Sequence, residues 1–332
     1  MTGSKTAAAQ RVAAIPHVEY RTLAPREPLP AEVLAAVVFG SADTCREDPR
    51  CVRVGLKPLS RGGIAELWHA TGPVRIGFAG PVRYSADAEH LLGAIELDER
   101  DYGGLAATAA AAYAAIGDFQ ASSSHPHLLR MWNYFDGINR GTGDEERYKQ
   151  FCVGRATGLA ARALTHHPAA TAIGRRDGSP VLQVYWLAGR ATGQALENPR
   201  QVSAFNYPRQ YGPAAPRFSR AMLVGGRLLM ISGTASVIGH ASRHPGKLEA
   251  QVRETLLNLG VLEQRAHVLS AAVPPRLGAA SLLKIYLRDG GATCEVEALL
   301  KESLPAGLAY MLLEADICRA ELLVEIDCIH GA

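Results

Sequence analysis

A carboxylate interrupts an apolar run near the end of the chain, in the stretch CRAELLVEID that covers residues 318–327. Leu322, Val324 and Ile326 alternate with other residues, which predicts a strand, and the apolar residues around Glu325 indicate cover on both faces. Burial raises the pKa of a carboxyl group and lets it hold a proton near neutral pH. Glu325 is therefore a candidate general acid, unless the strand lies at a sheet edge and leaves this side chain in water.

A second candidate is the predicted helix that contains RYKQFCVGRATGL. Tyr148, Cys152, Arg155 and Leu159 follow one another at spacings of four, three and four, so they lie on one helix face. Polar groups on the face that an amphipathic helix normally buries suit the wall of a pocket. The alternative is an ordinary buried face from which Arg155 extends its guanidinium to solvent.

A long loop supplies further aromatic and cationic groups. Residues 197–221 contain four prolines and four arginines, and loops of this length are uncommon unless they are functional. Tyr207, Tyr211 and Arg217 are candidates to contact an anionic cyclic substrate, or else they belong to a structured surface loop. Arg319, six residues before Glu325, offers another guanidinium, the group that binds carboxylates through two hydrogen bonds.

The stretch SGTAS at residues 232–236 ends an apolar strand. Gly233 permits a close backbone approach and Thr234 offers a hydroxyl group. The stretch is not a dinucleotide fingerprint, because no GxGxxG precedes a helix, and the chain contains no Walker A, GxSxG or HExxH motif. Neither the histidines nor the six cysteines follow a metal-ligand spacing. We predict neither a metal nor a cofactor.

The composition is that of an ordinary globular protein. The chain has 332 residues, of which 48% are hydrophobic and 20% are charged, and its formal net charge is +3. No long basic run requires a nucleic-acid partner, and no apolar stretch approaches the length of a membrane span. We predict a cytoplasmic protein without a membrane partner.

The order of predicted elements is similar in the two halves of the chain: strands, helix, strand, helix, strand. Two predicted helices in the second half are PGKLEAQVRETLLNLG, ending at Gly260, and CEVEALLKESLP. This order predicts an α+β protein with two related domains side by side, each a mixed sheet with helices packed on one face. We predict an N-terminal lead-in over residues 1–30, a first domain over 31–180 and a second over 181–332.

Several of these stretches together resemble known families. The C-terminal half, from LLMISGTASVIGH to CRAELLVEID, resembles the RidA/YjgF fold, which is chorismate mutase-like and ends with an arginine shortly before a VEIE-like strand. The stretches RMWNYFDGINRG, YKQFCVGRA, ENPRQVSAFNYPRQYGPAAPRFSRA and SGTASVIGH, in this order, resemble the chorismatases. That family converts chorismate to pyruvate and a ring product without metal or cofactor.

The resemblance implies that Glu325 protonates the enolpyruvyl group of chorismate and that Arg319 binds a substrate carboxylate. Chorismate carries two carboxylates and a hydroxyl group, so further cations and hydrogen-bonding aromatic groups are expected around it. The residues expected to contact the substrate are Arg319, Arg217, Arg155, Tyr148, Tyr207, Tyr211, Lys284, Cys318, Cys152, Gly233, Thr234 and Ala235.

Alternatives remain open for both the product and the activity. Cys318 is similar to the residue of family members that form 3-hydroxybenzoate or 4-hydroxybenzoate, whereas Ala235 does not decide between these and a hydrolase that forms a dihydroxycyclohexadiene carboxylate. An enamine or imine deaminase of the RidA type needs only the C-terminal half, and a small-ligand binding protein needs no acid. RidA-like domains form trimers, but two such domains in one chain are compatible with a monomer.

Overall fold

The computed structural model of the protein describes residues 15–24, 27–40, 48–59, 64–160 and 166–331. Two segments of the predicted lead-in, residues 1–14 and 25–26, lie outside this range, as do the last residues of the helix predicted over 144–164. A strand occupies Val18–Thr22, inside the predicted lead-in.

A small sheet forms at the N-terminus. Its four strands have the order β1-β5-β2-β3, and β4 joins a different sheet. All seven residues of β2, VLAAVVF, are buried, because this strand is covered on both faces. The sequence analysis placed β1 in the lead-in and the other strands in the first domain, and it did not predict a sheet of their own. The five strands are β1 (Val18–Thr22), β2 (Val33–Phe39), β3 (Cys51–Val54), β4 (Lys57–Pro58) and β5 (Ile64–His69).

The first large unit contains six strands and three helices. Alanine-rich α2 and the shorter α3 pack together on one face of its sheet. The strands are β6 (Arg75–Ala79), β7 (Val82–Ala86), β8 (His90–Asp98), β9 (His127–Asp136), β10 (Ala169–Arg175) and β11 (Val181–Gly189). The helices are α1 (Glu99–Tyr102), α2 (Leu105–Ser122) and α3 (Arg147–Gly158).

The second large unit follows with nine strands and two long helices. The prediction that a helix ends at Gly260 is wrong, since α4 continues through this residue. A glycine inside a helix costs only about 1 kcal/mol, and Leu259, Leu262 and Ala266 of α4 are buried on the sheet. The strands are β12 (Gln194–Leu196), β13 (Ala221–Val224), β14 (Leu228–Ala235), β15 (Val237–Ile238), β16 (Ala241–Ser242), β17 (Ser281–Leu287), β18 (Ala309–Glu314), β19 (Asp316–Ile317) and β20 (Val324–His330). The helices are α4 (Leu248–Leu269) and α5 (Thr293–Ser303).

The two large sheets have the same topology. Their orders are β19-β10-β9-β11-β8-β7-β6 and β12-β13-β14-β20-β17-β18-β4. Without the edge strands β19 and β4, each sheet has three meandering strands, then the last strand of the unit, then a parallel pair. The parallel pairs are β9 with β10 and β17 with β18. This shared order confirms the predicted α+β fold with two related units side by side.

Strand β11 corrects the predicted domain boundary. The sequence placed residues 181–189 at the start of the second domain, but β11 pairs with β8 and β9 along its full length. A boundary after residue 189 is the one that sheet pairing supports.

The units share a core between their sheets. Helices α2 and α3 cover the outer face of the first sheet, and α4 and α5 cover the outer face of the second. Between the sheets, Trp68 of the small sheet packs with Trp132 and Tyr185 of the first and Tyr286 of the second. No helix in the described part of the chain is long and apolar enough to span a membrane.

Candidate active site

Glu325 lies on a central strand. Strand β20 pairs with β14 on one side and with β17 on the other, so the alternative of an exposed edge strand is wrong. Val324 and Ile326 face the helices of the second unit. Glu325 points to the opposite side, where it lies next to Ala235 of β14 and Tyr286 of β17 in register, and only 4% of it is exposed.

The Glu325 side chain faces a cavity between the two units. The space open to the centre of a water molecule is about 90 Å³ in an outer chamber and about 40 Å³ in a deeper chamber that adjoins it. The outer chamber is lined by Glu146, Tyr148, Lys149, Gln201, Tyr207, Tyr211, Pro216, Phe218, Arg220, Gly233, Ala235, Val237, Cys318, Arg319, Leu322 and Glu325. The deeper chamber is lined by Tyr148, Arg155, Ala170, Thr171, Ala172, Phe218, Gly233, Cys318 and Glu325.

A β-bulge places Gly233 directly against the Glu325 carboxyl group. The register between β14 and β20 shifts between Ile231 and Thr234, which inserts one extra residue into β14. The Gly233 amide then donates a hydrogen bond to Oγ1 of Thr171 in the first unit, at 2.9 Å. A Cβ atom on Gly233 would lie 1.9 Å from Oε1 of Glu325. The sequence analysis expected another group to approach the backbone closely at Gly233, and that group is the carboxyl group of Glu325.

Burial makes Glu325 a weak acid. Loss of solvation raises its pKa to about 8, and the negative charge of Asp327 acts in the same direction. Three cations, Arg130, Arg220 and Arg288, lower the pKa by a smaller amount. The carboxyl group therefore carries its proton at neutral pH, as a general acid requires.

Helix α3 carries Tyr148 and Arg155 into the cavity wall. It can approach α2 closely because Gly154 and Gly158 have no side chains; a Cβ on Gly154 would lie 2.1 Å from the carbonyl oxygen of Ala106. Arg155 is 4% exposed, its Nε atom has no hydrogen-bond partner, and no ion pair among the described residues includes it. Two residues of the predicted polar face, Tyr148 and Arg155, thus line the deeper chamber.

Arg319 lies at the outer side of the cavity against two tyrosine rings. Its guanidinium carbon is 4.2 Å from the ring centre of Tyr211 and 5.4 Å from that of Tyr207. Its Nη1 donates hydrogen bonds to the carbonyl oxygen of His240 and to Ser242 Oγ. The tyrosines of the long loop and the arginine before β20, which the sequence predicted separately, form one wall.

Arg220 is a cavity residue that the sequence analysis missed. It is 6% exposed, lines the outer chamber and donates hydrogen bonds from Nη2 to the Tyr207 hydroxyl and the Val202 carbonyl oxygen. Its Nε atom has no hydrogen-bond partner. The signal in the sequence was the position of Arg220 directly before the apolar strand β13.

Comparison with known proteins shows to which family the chain belongs. A family model for the N-terminal part of FkbO/Hyg5-like chorismatases matches residues 66–188. A chorismatase of Streptomyces rapamycinicus is 35% identical over 293 residues, which are 83% of this chain and 86% of that protein. The chain belongs to the chorismatase family.

Two further chorismatase-family proteins support this membership. A 3-hydroxybenzoate synthase of Streptomyces hygroscopicus is 33% identical over 277 residues, or 79% of this chain and 80% of that protein. The crystal structure of a chorismatase at 30% identity matches with a TM-score of 0.84 and covers 95% of this chain and 98% of that one. The family predicted from the sequence is confirmed.

Four residues expected to contact substrate lie outside the cavity wall. Lys284 is fully buried between the sheets, where its Nζ pairs with Glu66 Oε2 at 2.8 Å. Cys152 packs in the core beneath α3, and the Thr234 hydroxyl donates a hydrogen bond to the carbonyl oxygen of Ser232. Arg217 is exposed to solvent. Sequence spacing did not show which way these side chains point. The expected residues that line the cavity are Arg319, Arg155, Tyr148, Tyr207, Tyr211, Cys318, Gly233, Ala235 and Glu325.

A candidate metal cluster in the described residues lies away from this cavity. His17, Glu19 and His69 have ligand atoms within 4.8 Å of one another. Glu19 lies on β1, His17 directly precedes this strand, and His69 is the last residue of β5. None of the three lines either chamber. The groups that line the cavity and can take part in its chemistry are the arginines, the tyrosines and Glu325.

Proposed function

We propose that this protein converts chorismate to pyruvate and a hydroxybenzoate, the 3-isomer, the 4-isomer or both. One observation carries the proposal. A protonated carboxyl group, Glu325, faces a cavity walled by Arg155, Arg220 and Arg319, and none of these arginines forms an ion pair among the residues that the structure describes. Chorismate is a dianion, so its two carboxylates supply the partners that these cations lack.

The buried arginines make this argument specific. Four arginines in the described chain are less than 9% exposed: Arg130, Arg155, Arg175 and Arg220. Arg130 pairs with Asp327 and Arg175 with Asp177. The guanidinium groups of the other two form no ion pair with a described residue, although the Arg220 backbone amide donates a hydrogen bond to Glu197 Oε1, and both residues line the cavity. A buried cation without a partner is costly, and a bound carboxylate removes that cost.

The proposed reaction begins with proton transfer from the Glu325 carboxyl group to the methylene carbon of the enolpyruvyl ether. The ether carbon becomes cationic, and the bond between the ring carbon and the ether oxygen breaks as the oxygen becomes the keto oxygen of pyruvate. Loss of the hydrogen from the carbon that carries the ring hydroxyl group then gives the 4-isomer. For the 3-isomer, the ring hydroxyl oxygen bonds to the carbon that pyruvate leaves, its bond to the original carbon breaks, and the ring loses a proton. In both cases the ring becomes aromatic, and the two products together contain all the atoms of chorismate. A net proton returns to Glu325, and the acid is regenerated.

Water access selects between aromatisation and hydrolysis. Hydrolysis to a diene diol consumes one water molecule at the ring, whereas aromatisation consumes none. Small side chains of Cys318 and Ala235 line the outer chamber next to Glu325. Cys318 is uncharged at neutral pH, because burial raises the pKa of its thiol. We propose aromatisation, and chromatography of the ring product after incubation with chorismate tests it; a diene diol would assign the hydrolase activity instead.

Release of pyruvate from chorismate is the primary test of the function. Purified protein should release pyruvate in proportion to the chorismate consumed, without added metal or cofactor. Absence of pyruvate at high protein concentration would contradict the proposal. Ammonia release from an imino acid, with no reaction on chorismate, would assign the deaminase activity.

The pH dependence of kcat/KM should follow the ionisation of Glu325. This ratio reports the protonation of the free enzyme, and a general acid works only while it carries its proton. The pKa of Glu325 is about 8, so kcat/KM should be constant below that pH and fall about tenfold per pH unit above it. Initial rates across the pH range measure the profile. An acidic limb centred near the ordinary glutamate pKa, with activity rising as Glu325 ionises, would contradict the acid role.

Arg220 and Arg217 form a matched pair for testing the cationic wall. Arg220→Met should raise KM for chorismate about tenfold to hundredfold, because a lost charge-assisted hydrogen bond costs about 1.5–3 kcal/mol. Arg217→Met, three residues away in the same loop but exposed, should leave KM and kcat near those of the unmodified enzyme. Steady-state kinetics of both variants decide the point, and equal effects from the two substitutions would remove Arg220 from substrate binding.

A further inference from the structure

Asp327 lies behind Glu325 on the same face of β20, two residues further along the strand. Its Oδ2 atom is surrounded by donors, and both the carboxylate and its cationic partner Arg130 are almost fully buried. The Nη2 of Arg130 is 3.3 Å away. The other donors to Oδ2 are Trp132 Nε1 at 3.1 Å, Tyr286 OH at 3.0 Å and Thr171 Oγ1 at 3.3 Å.

Thr171 links this buried pair to the catalytic cavity. Its Oγ1 accepts hydrogen bonds from the Gly233 amide and from Arg130 Nη2, and it donates its own proton to Asp327. A hydroxyl group has one donor and two acceptor positions, so all three are filled. Because Thr171 donates to it, Oδ2 of Asp327 acts as an acceptor here, and it faces the cation of Arg130. Thr171 also lines the deeper chamber beside Glu325.

Two buried ion pairs between the sheets are complete without Glu325. Asp327 pairs with Arg130, and Glu66 pairs with Lys284 at 2.8 Å. Glu325 forms no ion pair or hydrogen bond with any described residue. If Glu325 ionised, it would add a negative charge close to the fixed carboxylate of Asp327, in a region of low polarity where like charges repel strongly.

We propose that Asp327, fixed by Arg130 and Thr171, is a positioning residue that holds Glu325 in its proton-carrying form. The use of that proton in catalysis rests on the function proposed above, but the coupling between the two carboxyl groups does not. Asp327 lines neither chamber and acts on Glu325 only through its charge. The titratable and charged groups that face Glu325 from its own strand and from neighbouring elements are Asp327, Tyr286, Arg288, Arg130, Tyr148, Arg155, Cys318 and Arg220.

Two substitutions should shift the pH midpoint of Glu325 ionisation in opposite directions. Asp327→Asn keeps the shape of the side chain but removes the repelling charge, so the midpoint of Glu325 ionisation should fall by about one pH unit or more, the usual effect of a neighbouring charge. Arg130→Gln keeps a hydrogen-bond donor but leaves Asp327 without its cation, so the midpoint should rise. A residue with a purely structural role would not give shifts of opposite sign.

Infrared titration in D2O measures the coupling without any turnover. The protonated carboxyl band of Glu325 is identified as the band that Glu325→Gln removes. This step is needed because burial also raises the pKa of Glu263, to about 7, on the other side of the second sheet. The midpoint of that band is compared in the unmodified protein, Asp327→Asn and Arg130→Gln, each checked for its thermal unfolding transition. The alkaline limb of kcat/KM should move with the midpoint.

The outcomes separate the two proposals. Opposite shifts in the two variants support the coupling, and an unchanged midpoint in folded Asp327→Asn overturns it. Should Asp327→Asn fail to fold because Arg130 is left as an unpaired buried cation, the double variant Asp327→Asn/Arg130→Gln is compared with Arg130→Gln: a lower midpoint in the double variant supports the coupling, and equal midpoints overturn it. Failure to release pyruvate from chorismate would refute the function while leaving the infrared result standing.

Discussion

Glu325→Gln is expected to lower kcat for pyruvate release by on the order of 10²–10⁴-fold, the contribution typical of a positioned general acid. Glutamine has the shape and the neutral charge of the protonated side chain, so the substitution removes the transferable proton and little else. Binding of chorismate should therefore survive, which titration calorimetry on the inactive variant can measure. A variant that keeps near-normal kcat would exclude Glu325 as the acid.

Glu263 offers a matched control for this substitution. It is also buried, burial raises its pKa to about 7, and it lies on α4 outside the cavity. Glu263→Gln should leave kcat close to that of the unmodified enzyme and affect only the unfolding temperature. If both variants lost activity equally, the loss would reflect disturbance of the second unit, not removal of the acid.

Gly233→Ala is expected to lower kcat by on the order of 10²-fold, the effect typical of displacing a catalytic group by about 1 Å. The added Cβ atom would lie 1.9 Å from Oε1 of Glu325, well inside contact distance, and 3.2 Å from Cγ2 of Thr171. The carboxyl group must therefore move away from its place in the cavity. Steady-state kinetics should show a larger change in kcat than in KM, because the arginines that hold the substrate are not displaced.

Gly260→Ala is the control for the added methyl group. Gly260 lies inside α4, and a Cβ atom added to it would meet no other atom within 4 Å. Alanine is also favoured over glycine in a helix by about 1 kcal/mol. This variant should be as active as the unmodified enzyme and unfold at a slightly higher temperature. Normal kcat in Gly233→Ala would show that the Glu325 carboxyl group can work from a different position.

The sequence predicted the α+β class and the paired units because strand and helix patterns depend on local alternation and composition. It did not predict the separate small sheet or the membership of β11 in the first sheet, since pairing between distant strands leaves no local pattern. The helix end predicted at Gly260 was wrong for a related reason. Packing of Leu259 and Leu262 on the second sheet outweighs the modest local cost of a glycine.

The residue types at the site could be predicted from the sequence, but the directions in which their side chains point could not. Glu325, Arg319 and Arg155 line the cavity as expected, because an unusual polar group in an apolar pattern identifies them. Arg217 and Arg220 differ only in which way an irregular loop turns, and the sequence analysis chose the exposed one. Lys284 was expected in the cavity, but an ion pair with Glu66, 218 positions earlier in the chain, holds it in the core.

The isotopic composition of pyruvate formed from chorismate in D2O tests the central claim most directly. Glu325 exchanges its proton with solvent, so protonation of the methylene carbon by this residue should give pyruvate with one deuterium in its methyl group. Mass spectrometry at short reaction times measures this before the methyl hydrogens exchange. Pyruvate without deuterium would indicate direct transfer of a ring hydrogen to the methylene carbon and would contradict the account, as would the absence of pyruvate.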